Sequence, residues 1–411
     1  MCIRDSCKPV LNCKLKAAVM TSYDFDTVIP RRSSDSVKWN AYDPDVLPLW
    51  VADMDFRSPE PVLRALHERV EHGVFGYAFG SEKALAQAVS ERMAARYDWH
   101  FSPEHVVFMP NLFYGLYAVS RAYAEPDNGS VLIQTPVYGP FITAPTNAGR
   151  PLRIAELEAV RANGRLRYEI GFDRFEAAIT PDTRLFILCS PHNPVGRVWT
   201  RSELERMADI CLRHNLVIVS DEIHADLVYD GQQHTPTAAL SPEVAARTVT
   251  LHSASKAFNL PGLALGYAIV PDDTLRRQLT SVLNAAGVHS GLMGAVATLA
   301  AYREGQPWLD ALVQYLQANR DYLLDYIARC LPQIVSTCPE GTYLAWLDCR
   351  DAGVSGKPAD FFLKEARVAL NDGAWFGQGG EGFVRLNFGC PRATLAEALT
   401  RLSAALVRLN G

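Results

Sequence analysis

The chain has 411 residues, 48% of them hydrophobic, and carries 40 Lys and Arg against 45 Asp and Glu, a formal charge of -5 at pH 7. That length exceeds what one core usually fills and points to two lobes; the mild, evenly spread acidity leaves no basic face for nucleic acid and no polybasic membrane segment. No stretch approaches the roughly 18 apolar residues a membrane helix needs, so a small-molecule partner is expected.

Residues 1–20 crowd together Cys2, Cys7 and Cys13 without metal-ligand spacing, and read as a non-native or disordered leader ending near Met20. They lack the apolar run of a secretory signal, so a cytoplasmic protein is expected. The other six of the nine cysteines, from Cys189 to Cys390, show no paired spacing. Reduced thiols are expected, with neither disulfides nor a metal site. Residues 21–58 are expected to join a small C-terminal domain at 306–411, beside a large domain at 59–305.

From Val106 to Val270, short apolar runs alternate with amphipathic stretches: VVFM, SVLIQ, RLFILC, LVIVS, TVTLH and ALGYAIV. That pattern predicts an α/β domain whose mostly parallel sheet is covered by helices on both faces. Thr200 and Glu203 have capping-box spacing at the start of a helix running towards His214. Further on come a long helical pattern from Trp308 to about Cys330, the strand-like TYLAWL and FVRLNF, and a last amphipathic helix. Thr394 and Glu397 form a second candidate capping box, and the whole reads as a smaller α+β lobe.

Three strands run into polar clusters: RLFILC into SPHNPVG, LVIVS into DEIHADL, and TVTLH into SASKAFNLPG. In such sheets functional groups gather at the carboxyl ends of strands, where loops converge on a crevice. One site should therefore collect Asn193, Asp221, His224, Ser253, Ser255 and Lys256. Taken singly each has a plainer reading: a solvated lysine, an aspartate capping a helix, an asparagine making a turn before proline. Their shared placement at strand ends favours the functional one.

The ordered motifs LPLWVADMDF, VEHGVFGY, TPVYGPF, SPHNPVGRVWT, SDEIHADL, HSASKAFN and RLNFGCPR resemble the fold-type I pyridoxal-phosphate superfamily, which contains the aspartate aminotransferases. Within it they are most similar to the MalY/PatB cystathionine beta-lyase group. The resemblance implies a large domain with a seven-stranded sheet and a smaller α+β domain. It implies that Lys256 bonds the cofactor aldehyde and then moves the substrate's alpha proton, a dual task suited to a desolvated amine. Asp221 would hold the proton on the pyridine nitrogen, Asn193 and His224 would serve the ring's phenolic oxygen, and Tyr138 would stack on the ring. Arg385 would bind the substrate carboxylate through its planar fork, with Trp50 and Val51 nearby.

The resemblance also places the phosphate at the helix after Pro110, on the backbone amides of Leu112 and Phe113, with Ser253 and Ser255 as added donors. Tyr77 would reach it from the neighbouring subunit of a homodimer with shared sites. Asn111 stands where relatives more often have glycine, a turn that calls for tolerance of unusual backbone angles. Ala264 stands where many aminotransferases have an arginine. The function implied is a carbon–sulfur beta-lyase in methionine and cysteine metabolism, cleaving cystathionine or related cysteine S-conjugates to a thiol, pyruvate and ammonia. The alternatives are an aminotransferase for a neutral or aromatic amino acid, and a regulatory protein on the same scaffold, since some relatives restrain a transcriptional activator. No helix-turn-helix pattern precedes the enzyme-like region, so direct DNA binding is not expected.

Overall fold

The computed structural model describes residues 23–76, 80–124, 129–162 and 164–410. The expected leader at 1–20 and Tyr77 lie outside the described residues. Seven strands form the main sheet: β1 (Val106–Met109), β2 (Ser130–Thr135), β3 (Leu152–Glu156), β4 (Thr183–Cys189), β5 (Val217–Asp221), β6 (Thr248–His252) and β7 (Gly266–Ile269), in the order β1-β7-β6-β5-β4-β2-β3. β7 runs antiparallel to both neighbours, and the other pairings are parallel.

The apolar runs form buried strands because alternate side chains enter different cores. In β4, Leu185 and Ile187 pack with Leu116 and Val119 of α1 (Leu112–Tyr123), whereas Phe186 and Leu188 pack with Leu204, Met207 and Ile210 of α2 (Arg201–Arg213). Six strands match the expected runs. The seventh, β3, lies at the sheet edge, with Leu152, Arg153 and Glu156 only half-buried and Ile154 40% exposed. Without a neighbour on one side it needs no continuous apolar sequence.

Thr200 opens α2 through a complete capping box with Glu203. The second expected box does not form. The C-terminal helix starts at Arg392, so Thr394 lies inside its first turn, and Glu397 pairs with Arg401 instead. The Tyr315 hydroxyl accepts the Arg392 N–H at 2.8 Å, supplying the partner that a capping side chain would otherwise provide.

A 25-residue helix, α3 (Gln306–Cys330), leads into a second, antiparallel sheet. Its strands are β8 (Val335–Ser336), β9 (Leu344–Asp348), β10 (Asn371–Asp372) and β11 (Phe383–Asn387), ordered β8-β9-β11-β10. The N-terminal segment packs on this part: Phe25 and Phe56 meet Tyr315 edge-on or tilted, and Leu47–Pro48 pairs in parallel with Val368–Ala369. It thereby delivers residues 50–54 to the gap between the sheets.

Candidate active site

Register places three strand ends level: Cys189 lies opposite Asp221, and Asp221 opposite Leu251. The loops that follow therefore open at one edge. After β6, Ser253 caps a four-residue helical turn, Ala254–Ala257, accepting the Ser255 N–H at 3.1 Å while donating its own proton to the Leu265 carbonyl at 2.6 Å. That turn presents Lys256, whose Nζ donates to the Ala52 carbonyl at 2.7 Å. Burial and the Arg385 charge push the lysine pKa down to about 8, against opposing pulls from Asp53 and Asp221. About a tenth of the amine is thus neutral at pH 7, far more than for an unperturbed lysine.

Asp221, at the end of β5, is buried and accepts the Ile223 N–H at 3.1 Å. Burial raises its pKa to about 7, and Glu222 adds to the rise. Glu222 itself turns away into a knot with Ser220, His234 and Thr237. Among the described residues no cation forms an ion pair with Asp221. His224 is kept neutral, its pKa held well below the usual range by burial and by the Lys256 and Arg385 charges. Its Nδ1 is buried without a hydrogen-bond partner among the described residues.

The turn before α1 departs from expectation. Asn111 adopts ordinary extended angles (φ -166°, ψ 170°), so no glycine-like conformation is required there. Its side chain instead caps the helix, accepting the Tyr114 N–H at 2.9 Å. The Leu112 and Phe113 amides lie in the unpaired first turn of that helix, where an anion is favoured.

Arg385 on β11 is buried, yet its partners are neutral oxygens: Asn193 Oδ1 at 3.0 Å, the Trp50 carbonyl at 2.9 Å and Asn371 Oδ1 at 2.6 Å. Burial lowers its pKa to about 10, and its Nε has no hydrogen-bond partner among the described residues. A buried cation without a carboxylate is costly unless one arrives with a ligand. By taking the Asn193 carbonyl oxygen, Arg385 also turns the Asn193 amide donor away from itself. The Tyr138 N–H donates to the Asn193 backbone at 3.0 Å, and the Tyr138 ring lies edge-on to Trp375 at 5.3 Å.

Residues 50–54 are strapped by side chains that the sequence reading missed. Asn387 donates to the carbonyls of Val51 and Asp53, the Tyr343 hydroxyl to Ala52 at 2.8 Å, and Asn259 binds Met54. The RLNFG motif already contained Asn387. Tyr343 and Asn371 carried no strand-end signal, because they come from the second sheet and its flanks.

Two connected cavities result. The inner one, of about 180 Å³, is walled by Asn111, Leu112, Phe113 and Ala264 at one end and by Asn193, Asp221 and His224 elsewhere, with Ser253, Ser255 and Lys256 between. The outer one, of about 590 Å³, shares Ala52, Tyr138 and Lys256 with it and adds Trp50, Val51 and Arg385. All expected site residues except Tyr77, which lies outside the described residues, therefore line one or other of these adjoining cavities.

The profile of the family Aminotransferase class I and II matches residues 44–402. The chain is 39% identical to cystathionine beta-lyase PatB of Bacillus subtilis, over 93% of this chain and all of that protein. The crystal structure of OvoB is 42% identical with a TM-score of 0.88, covering 93% of this chain and 99% of that one. Cystalysin of Treponema denticola, whose structure contains a pyridoxal 5'-phosphate cofactor, is 32% identical with a TM-score of 0.89, covering 94% and 99%.

Proposed function

The chain belongs to the class I and II aminotransferase family, and from that premise we propose that it is a pyridoxal-phosphate-dependent carbon–sulfur beta-lyase that cleaves cystathionine or related cysteine S-conjugates. The observation that carries this reading is a single cavity lined by a buried lysine amine, a buried carboxylate without a cation and the open N-terminus of a helix. These residues fit pyridoxal phosphate. Asp221 suits a protonated ring nitrogen, the Leu112 and Phe113 amides with Ser255 suit a phosphate, and the Asn193 amide and the His224 Nδ1 would serve the ring's oxygen. Tyr138 offers an apolar face, and Ala264 leaves the phosphate end without an arginine.

When bound, the cofactor supplies an aldehyde that takes up an amine covalently and a ring that accepts the electron pair left by loss of the alpha proton. The rest falls to the protein. Arg385 binds and orients the substrate carboxylate. Lys256 would serve as the base for the alpha proton, its lowered pKa leaving part of the amine neutral near pH 7. Asp221 would keep a proton on the ring nitrogen, and the burial of Asp221 at the inner cavity would keep water from that contact. Departure of the beta sulfur then gives the thiol, with pyruvate and ammonia after hydrolysis. Full-length likeness to a cystathionine beta-lyase favours this route over transamination.

The reading includes a homodimer in the cytoplasm, with Tyr77 reaching the phosphate of the neighbouring subunit. The exposed Val70, Val74 and Phe75 just before it, at 55%, 62% and 58% exposure, support an apolar surface for a partner to cover. The deciding experiment incubates the protein with pyridoxal phosphate and L-cystathionine, without any 2-oxo acid. Sustained release of pyruvate over many turnovers is expected; at most one event per cofactor would favour the aminotransferase. Arg385→Lys should lower kcat/KM by roughly 10- to 100-fold, mainly through KM, because an ammonium cannot reproduce a two-donor fork. An unchanged KM would remove the carboxylate role.

A further inference from the structure

The outer cavity has a charge order that its position beside the reacting centre makes consequential. At its inner end stand Lys256 and the Arg385 cation; at its mouth stand Asp360 and Asp372. Between them the walls are aromatic. Tyr42 meets Trp50 edge-on at 5.7 Å, and Trp375, 45% exposed, leans on Tyr138. Trp375 is held by a close approach: a Cβ at Gly139 would lie 2.6 Å from its ring. The wall is therefore a fitted feature and not a stray exposed tryptophan.

The acidic groups at this cavity differ in what they have left to offer. Asp53 is paired with Arg31 at 2.9 Å. Asp372 is taken up by Lys357 at 2.9 Å and by the Ala374 N–H at 3.1 Å. Asp360 is exposed and, among the described residues, forms no ion pair. A cysteine conjugate whose carboxylate sits on Arg385 and whose alpha carbon faces Lys256 would extend its sulfur substituent along the aromatic walls towards that carboxylate, which faces the Lys357 ammonium at longer range without pairing to it.

Resting on the lyase reading, we propose that Tyr42, Trp50, Trp375 and Asp360 form the subsite for the sulfur substituent, and that it selects cysteine S-conjugates ending in a cationic group over those ending in a carboxylate. Cystathionine, whose far end carries both charges, would be accepted through its distal ammonium.

The test uses three conjugates with two carbons after the sulfur, S-(2-aminoethyl)-, S-ethyl- and S-carboxymethyl-L-cysteine, with pyruvate release by the holoenzyme as one readout. The second readout is binding of their sulfur-free isosteres, L-lysine, L-norleucine and L-2-aminoadipate, followed by tryptophan fluorescence. The isosteres bear no leaving group on the beta carbon. The expected order in both is cation, then neutral, then anion, with about tenfold between the extremes at low salt, shrinking as salt rises. Asp360→Asn should narrow that ratio to about threefold, Asp360→Glu should keep it, and Trp375→Ala should weaken binding of L-norleucine. A flat or reversed order, or an order unchanged in Asp360→Asn, would overturn the subsite. If no conjugate yields pyruvate while the isosteres still bind in the expected order, the lyase reading fails and the subsite stands.

Discussion

Replacing Lys256 by alanine is expected to abolish pyruvate release from cystathionine, by at least about 10⁴-fold, while leaving the fold intact. The size follows from the two tasks that meet in one amine, covalent capture of the cofactor and transfer of the alpha proton, neither of which another described side chain at the inner cavity is placed to assume. The intact fold follows from the local bonding. Lys256 Nζ donates to the Ala52 carbonyl, but the Tyr343 hydroxyl donates to the same oxygen at 2.8 Å, so the strap across residues 50–54 keeps a partner. In the cofactor-free protein the loss should even be mildly stabilising below pH 8. The amine's pKa is lowered to about 8, so its charged form is penalised in the fold, and that penalty fades as pH rises from about 8 towards the unfolded value near 10.4. Thermal unfolding and near-ultraviolet circular dichroism check the fold, and a coupled assay checks pyruvate. Retained turnover in a folded variant would remove Lys256 from the mechanism.

How much of this was legible in the sequence depends on which physical rule placed each residue. Asn193, Asp221 and Lys256 were readable because apolar strands announce where they end, and parallel register brings those ends together. β3 was missed because an edge strand with Arg153 and Glu156 need not be apolar. Thr394 was misassigned as a cap because the hydroxyl that serves the helix start belongs to Tyr315, 77 residues away, and no local window can see it. The same limit hid Tyr343, Asn371 and Asn387. Their targets are backbone carbonyls or the Arg385 guanidinium, and such targets leave no side-chain pattern in the segment they hold. Trp50 and Val51, expected beside the substrate, line the outer cavity with Arg385, and the bond to Arg385 comes from the Trp50 carbonyl and not from its ring. Asn111 was read as a tolerated turn residue, and its cap on Tyr114 is a more ordinary role for asparagine.

Asp221→Asn should separate chemistry from stability, because the same burial acts on both with opposite sign. The asparagine can still accept the Ile223 N–H, so geometry is retained, but it cannot hold a proton on the ring nitrogen; kcat should fall on the order of 10²–10³-fold. In the cofactor-free protein the buried carboxylate has its pKa raised to about 7. Between the unfolded value near 3.9 and that figure the folded state binds the extra proton, so wild-type stability falls as pH climbs through this window and levels off above it. The variant lacks that loss. It should therefore match the wild type near pH 4 and exceed it at pH 8, by roughly 2–4 kcal/mol at most. Adding pyridoxal phosphate should reverse the order, because a cationic ring nitrogen supplies the partner the carboxylate lacks and raises the wild-type Tm more than the variant's. Unfolding of both proteins at pH 5 and pH 8, with and without cofactor, gives the full set. A pH-independent difference would mean that the Asp221 carboxyl ionises in the cofactor-free fold at the same pH as in the unfolded chain, and equal cofactor-induced shifts would mean that it does not face the ring nitrogen.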